Sequence, residues 1–230
     1  MTMIVRNLQS VRDRITTACV AAGRHPDTVR LLAVSKTFDA DAVLDAMSDG
    51  QKAFGENYIA EGVEKIISLR GRAGLEWHCI GPIQSNKTRM VAEHFDWVQS
   101  VDRLKIAQRL SEQRPAHLPP LQICLQVNVD GGVNKSGVTP DDLMALVKEV
   151  MNLPRLRLRG LMTIPEPAIG FIAACALHSG AKAIFDQVNK ADLLSEPMDT
   201  LSMGMTADLE AAIHSGSTMV RVGTAIFGNR

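Results

Sequence analysis

LLAVSK, residues 31–36, is an apolar run of strand length that ends on a lysine. Such a run suits a parallel sheet covered on both faces, where strands read as nearly continuous apolar stretches. The same unit, a short run of branched or apolar residues, a turn and then a helical pattern, recurs along the chain. Outward from this stretch, strands are predicted over 31–35, 52–54, 76–80, 97–100, 122–127, 159–162, 200–202 and 219–222. Helical periodicity fills the intervals at 39–50, 58–69, 85–93, 102–113 and 169–194. A helix opening at Thr139-Pro140-Asp141 has threonine as its cap and proline in the first helical position, and Thr206 is read as the cap of another. One more helix, over 4–22, comes first, with Val5, Leu8, Val11, Ile15 and Ala18 or Cys19 on a single face. Eight strands, each followed by a helix, with no shift in composition at any boundary, predict an α/β chain. Residues 1–230 are expected to form one TIM-like (β/α)8 barrel domain with an extra N-terminal helix, in preference to an open sheet.

Composition narrows the function. The 25 basic side chains equal the 25 acidic ones, so there is no electrostatic reason to expect a nucleic-acid or anionic-membrane partner. The N-terminal pattern is amphipathic and carries arginines, which predicts no signal peptide, and no apolar run approaches the ~18 residues of a spanning helix. Cys19, Cys79, Cys124 and Cys175 are scattered without a C-x-x-C pair, as expected for free thiols in a reducing cytoplasm. His78 and Cys79 alternate across a strand and cannot share a metal, so no metal site is expected. No phosphate-loop, dinucleotide-loop or nucleophile-elbow motif occurs.

In barrels the active face lies at the C-terminal ends of the strands. Residues falling there include Ser35, Lys36, Glu56, Asn57, His78, Gly81, Ser202, Met203, Gly204, Arg221, Gly223 and Thr224. A lysine at an apolar barrel mouth is expected to be partly desolvated, which favours the neutral amine that attacks aldehydes. The alternative is a lysine that snorkels into solvent. The loops SMGMT, 202–206, and RVGT, 221–224, follow strands seven and eight, where barrels often bind phosphate. Their glycines admit backbone N–H groups and their hydroxyls add donors, although Asp208 and Glu210 would weaken the field felt by an anion. An imine-forming amine and a phosphate cup in one mouth match the two ends of pyridoxal 5′-phosphate. His78 reads as a packed, hydrogen-bonded histidine, and SNKTR, 85–89, as a solvated helix start or a rim anion site.

LLAVSKT, FGENYIAEGVEKI, EWHCIGPIQSNKTR, LRLRGLMTIPEP, LSMGMTADLEAAI and GSTMVRVGTAIFG together resemble the pyridoxal phosphate homeostasis protein family. The resemblance implies a barrel of the alanine racemase N-terminal type that holds pyridoxal 5′-phosphate as a Schiff base, without established catalytic turnover. It assigns the Schiff base to Lys36 and the phosphate cup to Ser202, Gly223 and Thr224, with Gly204 in the same loop. Arg221 is placed against the pyridine nitrogen and Asn57 on the cofactor face. Lys135 corresponds to a further family lysine, a secondary vitamer contact. The implied role is vitamin B6 homeostasis in the cytoplasm, by carriage or buffering, with apo-enzymes that use the cofactor as recipients and the protein a monomer.

The alternatives are a low-activity amino-acid racemase and a Schiff-base aldolase acting on a sugar phosphate. A racemase would need a second acid/base group, and the single tyrosine, Tyr58, is not evidently placed to serve. The segment 168–185 departs from the family by lacking a charged helix pattern, and the sequence ends at Arg230 without the basic tail some relatives carry.

Overall fold

The computed structural model describes residues 2–132 and 135–228. Eight parallel strands form a closed barrel in chain order: β1 (Arg30–Val34), β2 (Ala53–Glu56), β3 (Glu76–Cys79), β4 (Trp97–Val101), β5 (Leu121–Val127), β6 (Leu156–Thr163), β7 (Thr200–Ser202) and β8 (Met219–Val222). β8 closes on β1 with Leu32 opposite Arg221. Helix α1 (Met3–Ala21) precedes the barrel. The others follow their strands as α2 (Ala40–Ser48), α3 (Ile59–Ser68), α4 (Thr88–His94), α5 (Leu104–Gln113), α6 (Pro140–Val150), α7 (Phe171–Lys190), α8 (Leu209–His214) and α9 (Thr224–Phe227). Among the described residues no helix is long and apolar enough to cross a membrane.

Local chemistry explains these elements. The Thr2 hydroxyl accepts from the Val5 N–H to start α1, whose buried residues Val5, Leu8, Val11, Ile15, Ala18 and Cys19 keep helical spacing. Asp39 caps α2, and Thr139 with Pro140 opens α6 as the sequence predicts. The main core lies between barrel and helices and is built from outward-pointing strand residues such as Ala33, Phe54, Val98, Leu201 and Val220.

Three expectations need correction. β2 was expected over 52–54 with Gly55-Glu56 in a turn, yet both residues belong to the strand and are buried. Glycine suits this position because the barrel interior is tight there: a β-carbon would stand 3.1 Å from Leu32 Cδ2 and 3.2 Å from Ile80 Cδ1, and those side chains would have to give way. β6 is twice the expected length, since its first half pairs with β5 from Leu156 onward. α8 begins at Leu209, not at a Thr206 cap, because residues 203–208 form a loop over the barrel end.

Two glycines yield opposite predictions. A β-carbon on Gly160 would lie 1.6 Å from the Thr200 carbonyl oxygen across the β6–β7 ladder, whereas Gly180 in α7 has nothing within 4 Å. In chemical denaturation Gly160→Ala is expected to cost about 1–3 kcal/mol or more. Gly180→Ala is expected to gain up to about 1 kcal/mol from helix propensity.

Candidate functional site

A cavity of about 640 Å³ opens at the C-terminal end of the barrel. β1 contributes Val34 and, just beyond its end, Lys36; β2 leads into Asn57; β8 supplies Arg221 and then Gly223 and Thr224. The structure therefore brings five of the seven expected binding residues to one wall-and-floor arrangement. Lys36 is exposed, which corrects the expected desolvation: β1 stops at Val34, so the lysine stands on the loop and not in the strand. The next residue, Thr37, adopts φ of 71°, a left-handed conformation that costs a β-branched residue about 1–3 kcal/mol.

Arg221 forms the floor. It is 4% exposed and has no ion-pair partner among the described residues. Burial lowers its pKa to about 10, still leaving it charged near neutrality. Its Nη1 donates to Ser202 Oγ at 2.8 Å and its Nη2 to the Thr163 carbonyl at 2.8 Å. Ser202 Oγ donates in turn to Gln99 Oε1 at 2.6 Å, and Gln99 Nε2 pairs with His78 Nδ1 at 2.9 Å. This makes His78 Nδ1 the acceptor, so His78 Nε2–H donates to Glu76 Oε1. Burial pushes the His78 pKa down and favours the neutral ring this chain requires. His78 also stacks on Trp97, as a packed, hydrogen-bonded histidine should.

That chain relocates one expected ligand. Ser202 is fully buried beneath the cavity and holds the arginine; it does not line the cup. Gly204 has φ of 91° and a β-carbon there would stand 2.4 Å from Ala212 Cβ, so it is a glycine for the packing of the loop on α8. The loop reaches the cavity instead through Met205 and Thr206, which lie inside the predicted SMGMT loop, and through Ala207 just beyond it. Of the three, Ala207 alone was not singled out, and its one sign in the sequence is that it follows that glycine loop.

Among the described residues no acceptor is found for the backbone N–H groups of Thr206, Ala207 and Gly223. Gly223 also lets the chain pass close to β1, since a β-carbon would lie 3.1 Å from the Val34 carbonyl oxygen. Donor groups without protein acceptors on two loops at one edge of a cavity suit an anion. The acidic neighbours are occupied elsewhere. Asp208 Oδ1 accepts from the Met205 N–H at 2.7 Å and its Oδ2 meets His178 Nε2 at 2.9 Å. Glu210 pairs with Arg14, whose Nη2 also donates to the Thr206 carbonyl at 2.9 Å. Asp208 therefore braces the loop, and Arg14 offsets Glu210.

The remaining expected residues sort by position. Asn57 lines the cavity, and Gly81 is a glycine because a β-carbon would fall 2.1 Å from the Asn57 carbonyl oxygen. Tyr58 is exposed and outside the lining. Lys135 Nζ contacts Asp130, Glu166 and the Ile164 carbonyl, also outside the lining. No metal-binding cluster occurs among the described residues.

The family model for the alanine racemase N-terminal domain matches residues 6–230. A pyridoxal phosphate homeostasis protein of Pseudomonas aeruginosa PAO1 is 56% identical over 230 residues, spanning 100% of this chain and 97% of that protein. The Escherichia coli K12 protein of the same name is 50% identical over 232 residues, spanning 100% of this chain and 98% of its own length. The structure of PipY from Synechococcus elongatus PCC7942, solved with PLP bound, superposes with a TM-score of 0.84 at 34% identity. It covers 98% of this chain and 100% of PipY.

The brace on the 205–207 loop has a pH signature. Hydrogen bonds from His178 and the Met205 N–H hold the Asp208 pKa below its usual value, against the opposing effect of burial. A carboxylate depressed in the folded state stabilises above its unfolded pKa, near 3.9, and loses that contribution as pH falls through its folded value. Asp208→Asn, which leaves one acceptor oxygen where two are used, is expected to lower the unfolding free energy at neutral pH by roughly 1–3 kcal/mol. In denaturation series at falling pH, the gap from the parent protein should begin to narrow once the pH is below about 3.9 and close as the pH passes below the lower, folded-state value.

Proposed function

The chain belongs to the pyridoxal phosphate homeostasis protein family, within the alanine racemase N-terminal domain fold, and from that premise we propose that it binds pyridoxal 5′-phosphate in the barrel-mouth cavity. We assign the covalent attachment, a Schiff base, to Lys36 and the phosphate to the loops at 205–207 and 223–224. The role we infer is vitamin B6 homeostasis by carriage or buffering, with apo-enzymes that need the cofactor as recipients. The observation that carries the reading is the convergence of an exposed lysine amine, two donor-rich loops and a buried guanidinium on one cavity of about 640 Å³. That volume lies within the roughly 300–1,000 Å³ typical of small-molecule sites.

The residues fit this ligand by their chemistry. Acceptor-free N–H groups of Thr206, Ala207 and Gly223 match a phosphate ester, and the Thr224 hydroxyl lies beside them on the lining. When bound, pyridoxal phosphate supplies an aldehyde for a lysine amine and a ring able to withdraw electrons. Filling the cavity removes water from around Lys36, so the amine's surroundings become less polar than in the ligand-free chain. Arg221, which we assign to the ring nitrogen, holds a fixed positive charge that disfavours protonation at that atom. This weakens electron withdrawal and supports holding over broad carbanion chemistry. Lys36 and Arg221 are the only ionisable side chains on the cavity lining among the described residues. A proton-transfer partner opposite Lys36 is what a racemase requires, so this lining supports the carrier reading. The free cysteines suit a cytoplasmic setting, and we take the protein to act as a monomer.

Purified protein is expected to be yellow after loading. Borohydride should fix one cofactor on Lys36, located by peptide mass mapping, and Lys36→Ala should lose both the colour and the adduct. A colourless wild type with no reducible adduct would refute the reading. Lys36-dependent racemisation of amino acids at about 1 s⁻¹ or faster would replace it with the enzyme. Sedimentation should give a single-chain mass.

A further inference from the structure

Lys36 is flanked on both sides by backbone groups tied to one buried side chain. Lys65, on α3, is 5% exposed, a rare position for an ammonium group. Its Nζ donates to the Ser35 carbonyl at 2.7 Å, to Glu56 Oε1 at 2.8 Å and to Glu61 Oε1 at 2.7 Å, which uses all three of its donors. Glu61 Oε1 also accepts the Thr37 N–H, and Glu56 Oε1 accepts the Ser35 hydroxyl at 2.6 Å. Residue 35 is thus bonded to Lys65 directly, and residue 37 through Glu61. Residue 37 is also held at a positive φ. A strained non-glycine backbone persists only where its surroundings over-determine it, and such residues cluster at functional sites.

We propose that Lys65 is a positioning residue for Lys36: with Glu56 and Glu61 it fixes the backbone on either side of the reactive lysine and so sets where its amine stands in the cavity. Lys65 touches no cavity surface itself, and the donor loops at 205–207 and 223–224 lie on other elements. Removing it therefore affects imine formation far more than anion binding. The imine forms as the Lys36 amine adds to the ligand aldehyde and water departs, and this addition depends on where the nitrogen stands. The assignment rests on the proposed role of Lys36 as the attachment point.

The test compares wild type, Lys65→Met, Glu61→Ala and Glu61→Gln with two ligands and one ligand-free measurement. Pyridoxal 5′-phosphate reports imine formation by absorbance and borohydride trapping. Pyridoxine 5′-phosphate, an alcohol that cannot form an imine, reports binding alone by calorimetry. Hydrogen exchange at the Thr37 amide reports the loop without ligand. Lys65→Met and Glu61→Ala are expected to form the imine at least about ten-fold more slowly, to keep affinity for the alcohol and to lose protection at Thr37. Glu61→Gln retains an acceptor and should keep both rate and protection.

Lys65→Met strands the buried Glu56 carboxylate, so the Glu61 pair decides the matter if that variant does not fold. Unchanged imine rates with an unprotected Thr37 amide, or equal losses for both phosphates, would overturn the positioning role. A wild type that protects Thr37 yet forms no imine would refute Lys36 as the attachment point, while the exchange data still show whether Lys65 holds the loop.

Discussion

A guanidinium buried at the floor of a barrel sets terms for everything beneath it. Arg221 cannot be neutralised near physiological pH, and no carboxylate is paired with it among the described residues, so neutral acceptors must satisfy its donors. Ser202 and the Thr163 carbonyl do so. Ser202 then has one proton to place, Gln99 takes it, and the Gln99 amide must face His78 with its nitrogen. Each hydrogen bond fixes the orientation of the next, down to Glu76 at the opposite end of the barrel. The interior that in many barrels is filled by branched apolar side chains is here partly a polar column. It holds the arginine's charge facing upward into the cavity without letting a carboxylate cancel it.

The rim follows a complementary logic. Around Lys36 the protein fixes the backbone and leaves the side chain exposed, whereas at Arg221 it fixes the side chain and buries it. The network of Lys65, Glu56 and Glu61 brings two acidic groups and one basic group into the wall behind β1, and Glu56 Oε2 is left without a partner. Burial accordingly pushes the Glu56 pKa up despite the neighbouring ammonium. Buried ion pairs contribute little net stability compared with apolar replacements, so their worth here lies in geometry. A segment tied at Ser35 and Thr37 leaves Lys36 only its side-chain rotations.

Much of this was legible in the sequence. β7 and β8 fall on the residues that their branched runs and glycine turns marked, and Lys36, Asn57, Arg221, Gly223 and Thr224 share the cavity because strand ends in a parallel barrel share one face. What was not legible has specific causes. Gly55 looks like a turn because glycine is common in turns, while its actual reason, the Leu32 and Ile80 side chains across the interior, is a tertiary fact. Ser202 lies on a phosphate-type loop by sequence, but strand alternation turns its hydroxyl inward under Arg221. Glu61 and Lys65 have the i,i+4 spacing of an ordinary surface pair, and only the docking of α3 on the barrel makes that lysine interior. The single carboxylate of Asp208, read as a liability for anion binding, is consumed by the loop it supports.

The charges at the barrel mouth are distributed by the same rule. Three acidic side chains on the segments around the cavity are each engaged by donors of the protein: Asp208 by His178 and the Met205 amide, Glu210 by Arg14, Glu61 by Lys65 and the Thr37 amide. The basic groups on the lining, Lys36 and Arg221, have no carboxylate of their own within ion-pair distance among the described residues. A chain with as many acidic as basic residues thereby presents a locally cationic cavity, by where its ion pairs close and not by net charge. Electrostatic focusing in such a concave site acts on a small anion far more than the neutral surface does. The partners that engage those carboxylates are thus what leave the lining with two basic groups and no acidic one among the described residues.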